Sequence, residues 1–181
     1  LGRLDVFRVK ADDWEAVLGM AAAVQSHPVV RPTLEAQGMN EVSCYWEDAE
    51  TGAACKARLD RISIAVPDLK RSRDARPGPF SGQAARLGYH IQAAFYLAGL
   101  DACAPHPRRW LWVAVEPDPP YAVAVYEPTD QTLAQGRAEW ETYLRQHLEC
   151  VRPGRWPGYQ TDPQPLSLRK WALQMPELEL L

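Results

Sequence analysis

The sequence of 181 residues predicts a single α/β domain in which helices flank a mixed central β-sheet. Apolar residues recur with a helical period near residues 12–26, 81–100 and 129–150. Residues 41–70 and 110–127 instead show the two-residue alternation and the short apolar runs typical of strands. The resulting order is helix, helix, three strands, helix, two strands, helix, which is the pattern of a sheet covered by helices.

The first half of the chain is predicted to contain two helices and three strands. Asp12 or Asp13 caps the first helix, which ends at His27-Pro28 because the residue before a proline avoids the helical region. Its apolar residues recur at helical spacing: Trp14, Val17, Leu18, Ala21 and Val24. The other elements of this half are a short helix at 32–37, strands at 41–47, 53–60 and 63–70, and a basic loop at 71–79.

The second half is predicted to contain two longer helices and two strands. The helix at 81–100 carries one apolar stripe: Leu87, Ile91, Ala94, Phe95 and Ala98. Strands at 110–116 and 121–127 precede a last helix, which Thr129 or Asp130 caps and which extends to about Cys150. The core is predicted to include Trp110, Trp112 and Trp140, and residues 152–181, rich in proline, are predicted to be irregular.

The composition disfavours several classes of protein. With 46% hydrophobic residues and charges of mixed sign, the chain is not predicted to be disordered. The net charge of -3 argues against a protein that coats nucleic acid by bulk charge, although metal ions can offset a local cluster of carboxylates. No apolar run reaches the roughly 18 residues that a membrane span needs. We therefore expect no membrane partner.

The cysteines and the N-terminal residues indicate the cellular compartment of the protein and the extent of the sequence. The four cysteines form no C-x-x-C pair, which favours free thiols in a reducing cytoplasm. Leu1-Gly2-Arg3-Leu4-Asp5 has no apolar segment of a secretory signal behind it. Because the sequence opens on leucine rather than methionine, we expect it to be N-terminally truncated.

The chemistry is predicted to centre on Asp60, Asp68 and Lys70. Alternate residues of a strand share a face, so Asp68 and Lys70 point the same way, and a short return places Asp60 beside them. Two carboxylates at strand ends supply the hard oxygen ligands that Mg²⁺ or Mn²⁺ prefers. A neighbouring lysine holds a water or stabilises charge on a phosphate. An ordinary surface salt bridge is the alternative for this spacing.

Further polar residues accompany this group. Tyr89, Gln92 and Tyr96 lie at i, i+3 and i+7, roughly opposite the apolar stripe of their helix, on a side that is polar without being charged. Such a side suits either a substrate groove or packing of the tyrosines against another helix. Glu41, at the start of the first strand, is a further acidic candidate or else a solvent-facing charge.

Basic and aromatic residues suggest contacts outside the chemical centre. The basic run comprises Arg71, Arg73, Arg76 and Arg86; it is the best candidate for gripping a DNA backbone, and a solvated loop is the alternative. Trp156 and Trp171 in the irregular tail are candidates for a subunit contact, since large apolar groups there need cover.

The motifs resemble those of a nuclease superfamily. Asp60, Asp68-Leu69-Lys70 and Gln92-Ala93-Ala94-Phe95-Tyr96 resemble the D-x(n)-D-x-K plus Q-x-x-x-Y pattern of PD-(D/E)XK nucleases. The longer strings are similar to the RecE-type exonuclease (exonuclease VIII) catalytic domain of phages and prophages, over residues from about 14 to about 175. These strings are Glu41-Val-Ser-x-x-Trp46, Thr51-Gly52-x-x-Cys55-Lys56-Ala57-Arg58-Leu59-Asp60, Gly88-Tyr89-His90-x-Gln92-Ala-Ala-Phe-Tyr96 and Trp156-Pro-Gly-Tyr159.

The resemblance implies a restriction-endonuclease-like core and a Mg²⁺-dependent (or Mn²⁺-dependent) exonuclease that degrades linear double-stranded DNA from 5′ to 3′ in phage-type recombination. It implies metal ligands at Asp60 and Asp68, support of the metal by Glu41, a water-orienting Lys70, and the active-site helix motif at Gln92 and Tyr96. Tyr89 and the basic run are expected to contact DNA. The implied partners are DNA ends, a single-strand annealing protein and further copies of the chain in an oligomer.

Two departures from the family pattern leave alternatives open. The family commonly has threonine after the D-x-K lysine, where this chain has Arg71. The family also has a metal-binding histidine well upstream of the first acid, a position that His27 does not match, so we expect that histidine to lie before Leu1. A catalytically impaired module that binds DNA or assists assembly, or a nuclease acting on single strands or flaps, remains the alternative to a duplex exonuclease.

Overall fold

Five helices and five strands follow one another in the part of the chain that the structure describes. This computed structural model describes residues 8–168. The elements are α1 (Ala11–Ser26), α2 (Val30–Glu35), β1 (Met39–Glu47), β2 (Ala54–Ile62), β3 (Val66–Arg71), α3 (Pro77–Leu87), α4 (Tyr89–Cys103), β4 (Trp110–Val115), β5 (Val123–Tyr126) and α5 (Asp130–Val151). The predicted mixed α/β class is therefore confirmed.

Strands β1 and β2 form an antiparallel hairpin whose two faces differ. Its turn is closed by Asp48, whose carboxylate accepts hydrogen bonds from the backbone and the hydroxyl of Thr51. Along β2 the side chains alternate, so that Cys55, Ala57 and Leu59 are buried and the residues between them are exposed. The same alternation places Asp60 on the open face, at the end of the strand nearest β3.

Strands β3, β4 and β5 form a mixed sheet. Strand β3 pairs with β4 in parallel, with Asp68 opposite Trp112, and β4 pairs with β5 in antiparallel orientation. All six residues of β4 are buried, as its continuous apolar sequence predicts for a central strand. A parallel pair needs a long crossover, and α3 and α4 supply it. This crossover covers the sheet at the point where Asp68 lies.

The single helix predicted at 81–100 is in fact two helices. Gly88 adopts a left-handed backbone conformation (φ 69°) and ends α3, whose last carbonyls bond its backbone N–H, before α4 begins at Tyr89. Leu87 therefore leaves the predicted apolar stripe and is exposed, whereas Ala94 is buried. The break allows α3 and α4 to present different faces to the sheet.

The first helix also differs from a simple core-facing helix. Val24 is buried, but three members of its apolar pattern, Trp14, Val17 and Leu18, are each between 44% and 54% exposed. No described element covers them, because α1 contacts mainly α2 and, to a smaller extent, β4. The predicted core tryptophans Trp110, Trp112 and Trp140 are all buried, and Thr129 caps α5 as predicted by accepting a hydrogen bond from the Thr132 backbone.

After α5, the described part of the chain contains no further helix or strand. Residues 155–168 form bends and irregular segments whose side chains are exposed, including Trp156. Trp171 and the rest of 169–181 lie outside the described residues. Among the helices that are described, none combines the length and the apolar character needed to cross a membrane.

Close packing of α4 against α5 depends on a glycine. A Cβ at Gly136 would overlap the backbone carbonyl of His90, so we expect Gly136→Ala to lower the free energy of unfolding by about 1–3 kcal/mol. Gly82 on α3 has no atom within 4 Å of the corresponding position, so Gly82→Ala should be neutral or stabilise by up to about 1 kcal/mol. Urea denaturation measures both; equal stability of the two variants would contradict this packing.

Candidate active site

A narrow gap between β2, β3 and α4 collects four of the five residues predicted to be catalytic. The gap has a volume of about 20 Å³, and Asp60, Asp68, Gln92 and Tyr96 line it together with Arg58 and the ring of Trp110. Asp60 enters it from the exposed face of β2, and Asp68 from the middle of β3. Gln92 and Tyr96 lie one turn apart on α4 and close the gap from the helix side.

Asp68 is a buried carboxylate with one incompletely satisfied oxygen. The residue is 7% exposed, and its Oδ1 accepts a hydrogen bond of 2.9 Å from Lys70 Nζ. Its Oδ2 lies 2.8 Å from the same nitrogen, but off hydrogen-bond geometry, and finds no hydrogen-bond donor among the described residues. Burial raises the pKa of Asp68; Lys70 opposes that rise, and the nearby charge of Asp60 adds to it.

Lys70, the fifth predicted catalytic residue, is held on three sides. Besides contacting Asp68, its ammonium donates a hydrogen bond of 2.9 Å to Gln92 Oε1. It also lies 4.5 Å from the ring centroid of Tyr89, in the position of a cation–π contact. The Lys70 side chain is only 14% exposed. The ammonium therefore has little freedom to move away from Asp68 and Gln92.

Gln83 was not singled out by the sequence, yet it connects the site to its surroundings. Its side-chain amide donates to the Arg71 carbonyl at 2.9 Å and to the Tyr89 hydroxyl at 3.2 Å, and its Oε1 accepts from Ser72 at 3.0 Å. The end of β3 and the ring beneath Lys70 are thereby tied to α3. Gly88 separates α3, which carries Gln83, from α4. A helix end at this glycine is the sequence signal that would have indicated a separate role for Gln83.

Glu41 lies beside the gap but is held by an arginine. It has a left-handed backbone (φ 54°) between the paired positions Asn40 and Val42, opposite Asp60 in the register of the hairpin. Its carboxylate forms a salt bridge of 2.6 Å with Arg58. Within residues 8–168 no group of three or more His, Cys, Asp or Glu side chains is arranged to hold a metal. The role of Glu41 at a metal therefore stays a prediction.

Three of the four arginines of the predicted basic run line an open groove next to the gap. The groove has a volume of about 650 Å³, and Tyr89 contributes to its wall together with Arg71, Arg73 and Arg86. None of these three arginines forms a salt bridge with a described residue. Arg76 instead binds Asp74 at 2.6 Å, and these hydrogen bonds lower the pKa of Asp74 to about 2. The fourth arginine is thus engaged by Asp74, a carboxylate that itself lines the groove.

The parts assembled here are those of a PD-(D/E)XK-type site: a carboxylate at the end of one strand, a second carboxylate and a lysine two residues apart on the next, and a glutamine on the covering helix. The chain belongs to the family described as "PDDEXK-like domain of unknown function (DUF3799)", which matches residues 6–162. It is therefore a member of the PD-(D/E)XK nuclease superfamily, with the fold expected of it.

A solved structure with a TM-score above 0.5 agrees on the fold. A "Putative exonuclease" from Eubacterium rectale superposes with a TM-score of 0.65 at 16% sequence identity, over 85% of this chain and 63% of that one. The chain thus spans somewhat less than two thirds of that protein's length. The structure of SSO0001 superposes with a TM-score of 0.40 at 23% identity, over 73% of this chain and 60% of that one. No curated protein sequence matches the chain.

The buried pair of Asp68 and Lys70 makes stability depend on pH in a defined direction. We expect Lys70→Met to lower the free energy of unfolding at pH 7 by about 3 kcal/mol, because it leaves a buried carboxylate without its cation. A carboxyl whose folded pKa lies above its unfolded value is penalised when ionised. The loss should therefore be complete above the pKa of Asp68 and shrink as the pH falls through it. Denaturation at a series of pH values measures this.

Two variants control for other effects of losing the lysine. The double variant Asp68→Asn/Lys70→Met removes both charges, so it should recover most of the lost stability and lose the pH dependence. Arg109→Met removes an exposed salt bridge of 2.7 Å to Glu127 and should have little effect. If Lys70→Met and the double variant are equally destabilised at every pH, the description of a buried ion pair is wrong.

Proposed function

We propose that the chain is a divalent-metal-dependent exodeoxyribonuclease of RecE type that hydrolyses phosphodiester bonds of linear double-stranded DNA. The single observation that carries this proposal is the gap that Asp60, Asp68 and Gln92 line together, with Lys70 bonded to the last two of them. A structural ion pair would need no second carboxylate in the same gap and no carboxylate oxygen without a well-aligned donor. Both are present, and both suit a site that acts on phosphate esters.

The residues of the gap fit a Mg²⁺ or Mn²⁺ ion. Asp68 Oδ2 is buried beside the Lys70 ammonium but has no donor in hydrogen-bond geometry among the described residues, which leaves it able to accept a further partner, and Asp60 lines the same space. Carboxylate oxygens are the ligands that these hard cations prefer. Asp60 and Asp68 would hold the ion, and Glu41 would join them if it exchanged Arg58 for the ion. The bound ion would supply Lewis-acid stabilisation of charge on the phosphate.

Lys70 and Gln92 act on the attacking water and the phosphate. An ammonium fixed between Asp68, Gln92 and Tyr89 keeps its position, so it orients a water or stabilises the negative charge that develops during hydrolysis. Gln92 Oε1 accepts a hydrogen bond from the Lys70 ammonium. This bond fixes the direction in which the ammonium presents its other N–H groups to water or phosphate. Tyr96 forms part of the wall that limits access to the gap from the helix side.

The groove lined by Arg71, Arg73 and Arg86 is the proposed path of the DNA backbone. These side chains have no acidic partner among the described residues, so phosphates meet little competition for them. Tyr89 lines the groove, and its ring centroid also lies 4.5 Å from Lys70 Nζ. A backbone lying in the groove would therefore lead directly to the gap. Arg76 is paired with Asp74, which lines the groove, so the charge of Arg76 is offset there by a carboxylate.

The finer features of the activity are proposed on the strength of the sequence motifs. Degradation from 5′ to 3′, a role in phage-type recombination, a single-strand annealing partner and a homo-oligomer are the properties that the RecE-type strings imply. The exposed Trp156 within one of those strings offers a surface that a second copy would cover.

The proposal is tested with purified protein, Mg²⁺ or Mn²⁺, and linear duplex DNA labelled at the 5′ or the 3′ end. Asp68→Asn should eliminate degradation, because the remaining groups cannot hold the ion at the buried position. Asp13→Asn, an exposed aspartate of α1, is the matched control and should leave the rate unchanged. Circular dichroism confirms that both variants are folded.

The substrates separate the competing functions. Release of the 5′ label as mononucleotide, with circular duplex and circular single-stranded DNA untouched, is the expected result. Equal cutting of circular single strands would indicate a single-strand or flap nuclease. Binding of duplex DNA without cutting under any ion would indicate a catalytically inactive binding module. Full activity of Asp68→Asn would reject the site itself.

A further inference from the structure

A second cavity lies on the side of α4 that faces away from the candidate active site. It has a volume of about 430 Å³ and lies between α4, the segment 104–109 and α5. On α4 it is lined by Leu97, Ala98 and Asp101, which point roughly opposite to Gln92 and Tyr96 because successive residues turn by about 100°. Nothing in the proposed nuclease chemistry uses this cavity.

The cavity combines an apolar floor with a cationic rim. Leu97, Leu100 and Leu133 form the floor, and Leu100 is nearly inaccessible to solvent. Arg108 and Arg137 contribute guanidinium groups from two different elements, the connecting segment and α5. An apolar body next to a small number of polar groups that fix its orientation is the usual composition of a ligand site, and the volume falls within the range of such sites.

Both arginines lack a counter-charge within the described residues. Neither forms a salt bridge or a side-chain hydrogen bond with another residue of 8–168, and the Nε of Arg108 is buried without an acceptor. The carboxylate of Asp101 lines the same cavity but lies beyond salt-bridge distance of either guanidinium. Arg137 is exposed to solvent, so a desolvation cost falls on Arg108 alone: a guanidinium nitrogen withdrawn from water without a partner is unfavourable, and an anion bound at this guanidinium offsets that cost.

We propose that this cavity is a docking site for an acidic segment of a partner protein, with carboxylates at Arg108 and Arg137 and apolar side chains on the leucine floor. Charge complementarity selects an anionic partner, and the floor selects one with aliphatic or aromatic side chains beside its carboxylates. A nucleic acid fits less well, because no Phe, Tyr or Trp lines the cavity to stack on a base.

The test uses a fluorescein-labelled peptide, Glu-Asp-Glu-Asp-Leu-Leu-Phe, and fluorescence anisotropy at low salt. We expect saturable binding with a Kd below about 100 µM. Arg108→Gln and Arg137→Gln should each weaken binding roughly tenfold. Arg108→Lys keeps the charge but lacks the buried Nε donor, and it should fall between the wild type and Arg108→Gln. Arg109→Gln, the adjacent exposed arginine that pairs with Glu127, is the matched control and should change the Kd less than twofold.

Two further probes complete the test. A peptide with Gln and Asn in place of the acids should bind at least tenfold more weakly, and so should one with Ser in place of Leu and Phe. The proposal is overturned by the absence of saturation up to about 1 mM peptide, by equal binding to Arg108→Gln and wild type, or by equal binding of the neutral peptide. Displacement of the peptide by short duplex DNA would also overturn it, since the arginines would then belong to a nucleic-acid surface. These readouts are independent of nuclease activity.

Discussion

The burial of the Asp68 carboxyl group beside the Lys70 ammonium is the constraint around which the other features of the site are arranged. Asp68 lies on a strand whose parallel neighbour, β4, is buried along its whole length, so water cannot solvate the carboxylate from that side. Lys70 follows two residues later on the same face, and α4 encloses both. Burial raises the pKa of Asp68, and the contact with Lys70 keeps that rise in check.

The covering helix reaches this position because the chain turns at Gly88. An uninterrupted helix through this region would carry Leu87 and Tyr89 along one axis, whereas the left-handed glycine lets α3 and α4 take separate directions. Gln83 then bonds to Tyr89 from one helix, and Gln92 bonds to Lys70 from the other. The same turn leaves α3 beside the arginine-lined groove. The turn at Gly88 thus places Tyr89 and Gln92, which contact Lys70, next to the arginine-lined groove.

Local patterns predicted the fold class and much of the site, since a two-residue alternation decides which strand residues share a face. They could not show that β3 pairs with β4 rather than with the preceding hairpin, because pairing depends on contacts between distant segments. The apolar periodicity predicted one long helix through Gly88. It could not decide whether the glycine lies inside a helix or ends one, because glycine occurs in both positions. It also could not reveal that Trp14 and its neighbours on α1 stay exposed, because an apolar stripe does not specify what covers it. The salt bridge between Glu41 and Arg58 joins two strands, so no local sequence pattern predicts it.

The most direct measurement is a crystal structure of the protein grown with Mn²⁺, with anomalous scattering data collected to locate the ion. We expect one strong anomalous peak from Mn²⁺ in the gap, within roughly 2.5 Å of Asp68 Oδ2 and in contact with Asp60. An ion that binds elsewhere while Asp60 and Asp68 stay apart would contradict the central claim. Asp68 and Lys70 would then be a structural ion pair in a nuclease fold that does not use it for catalysis.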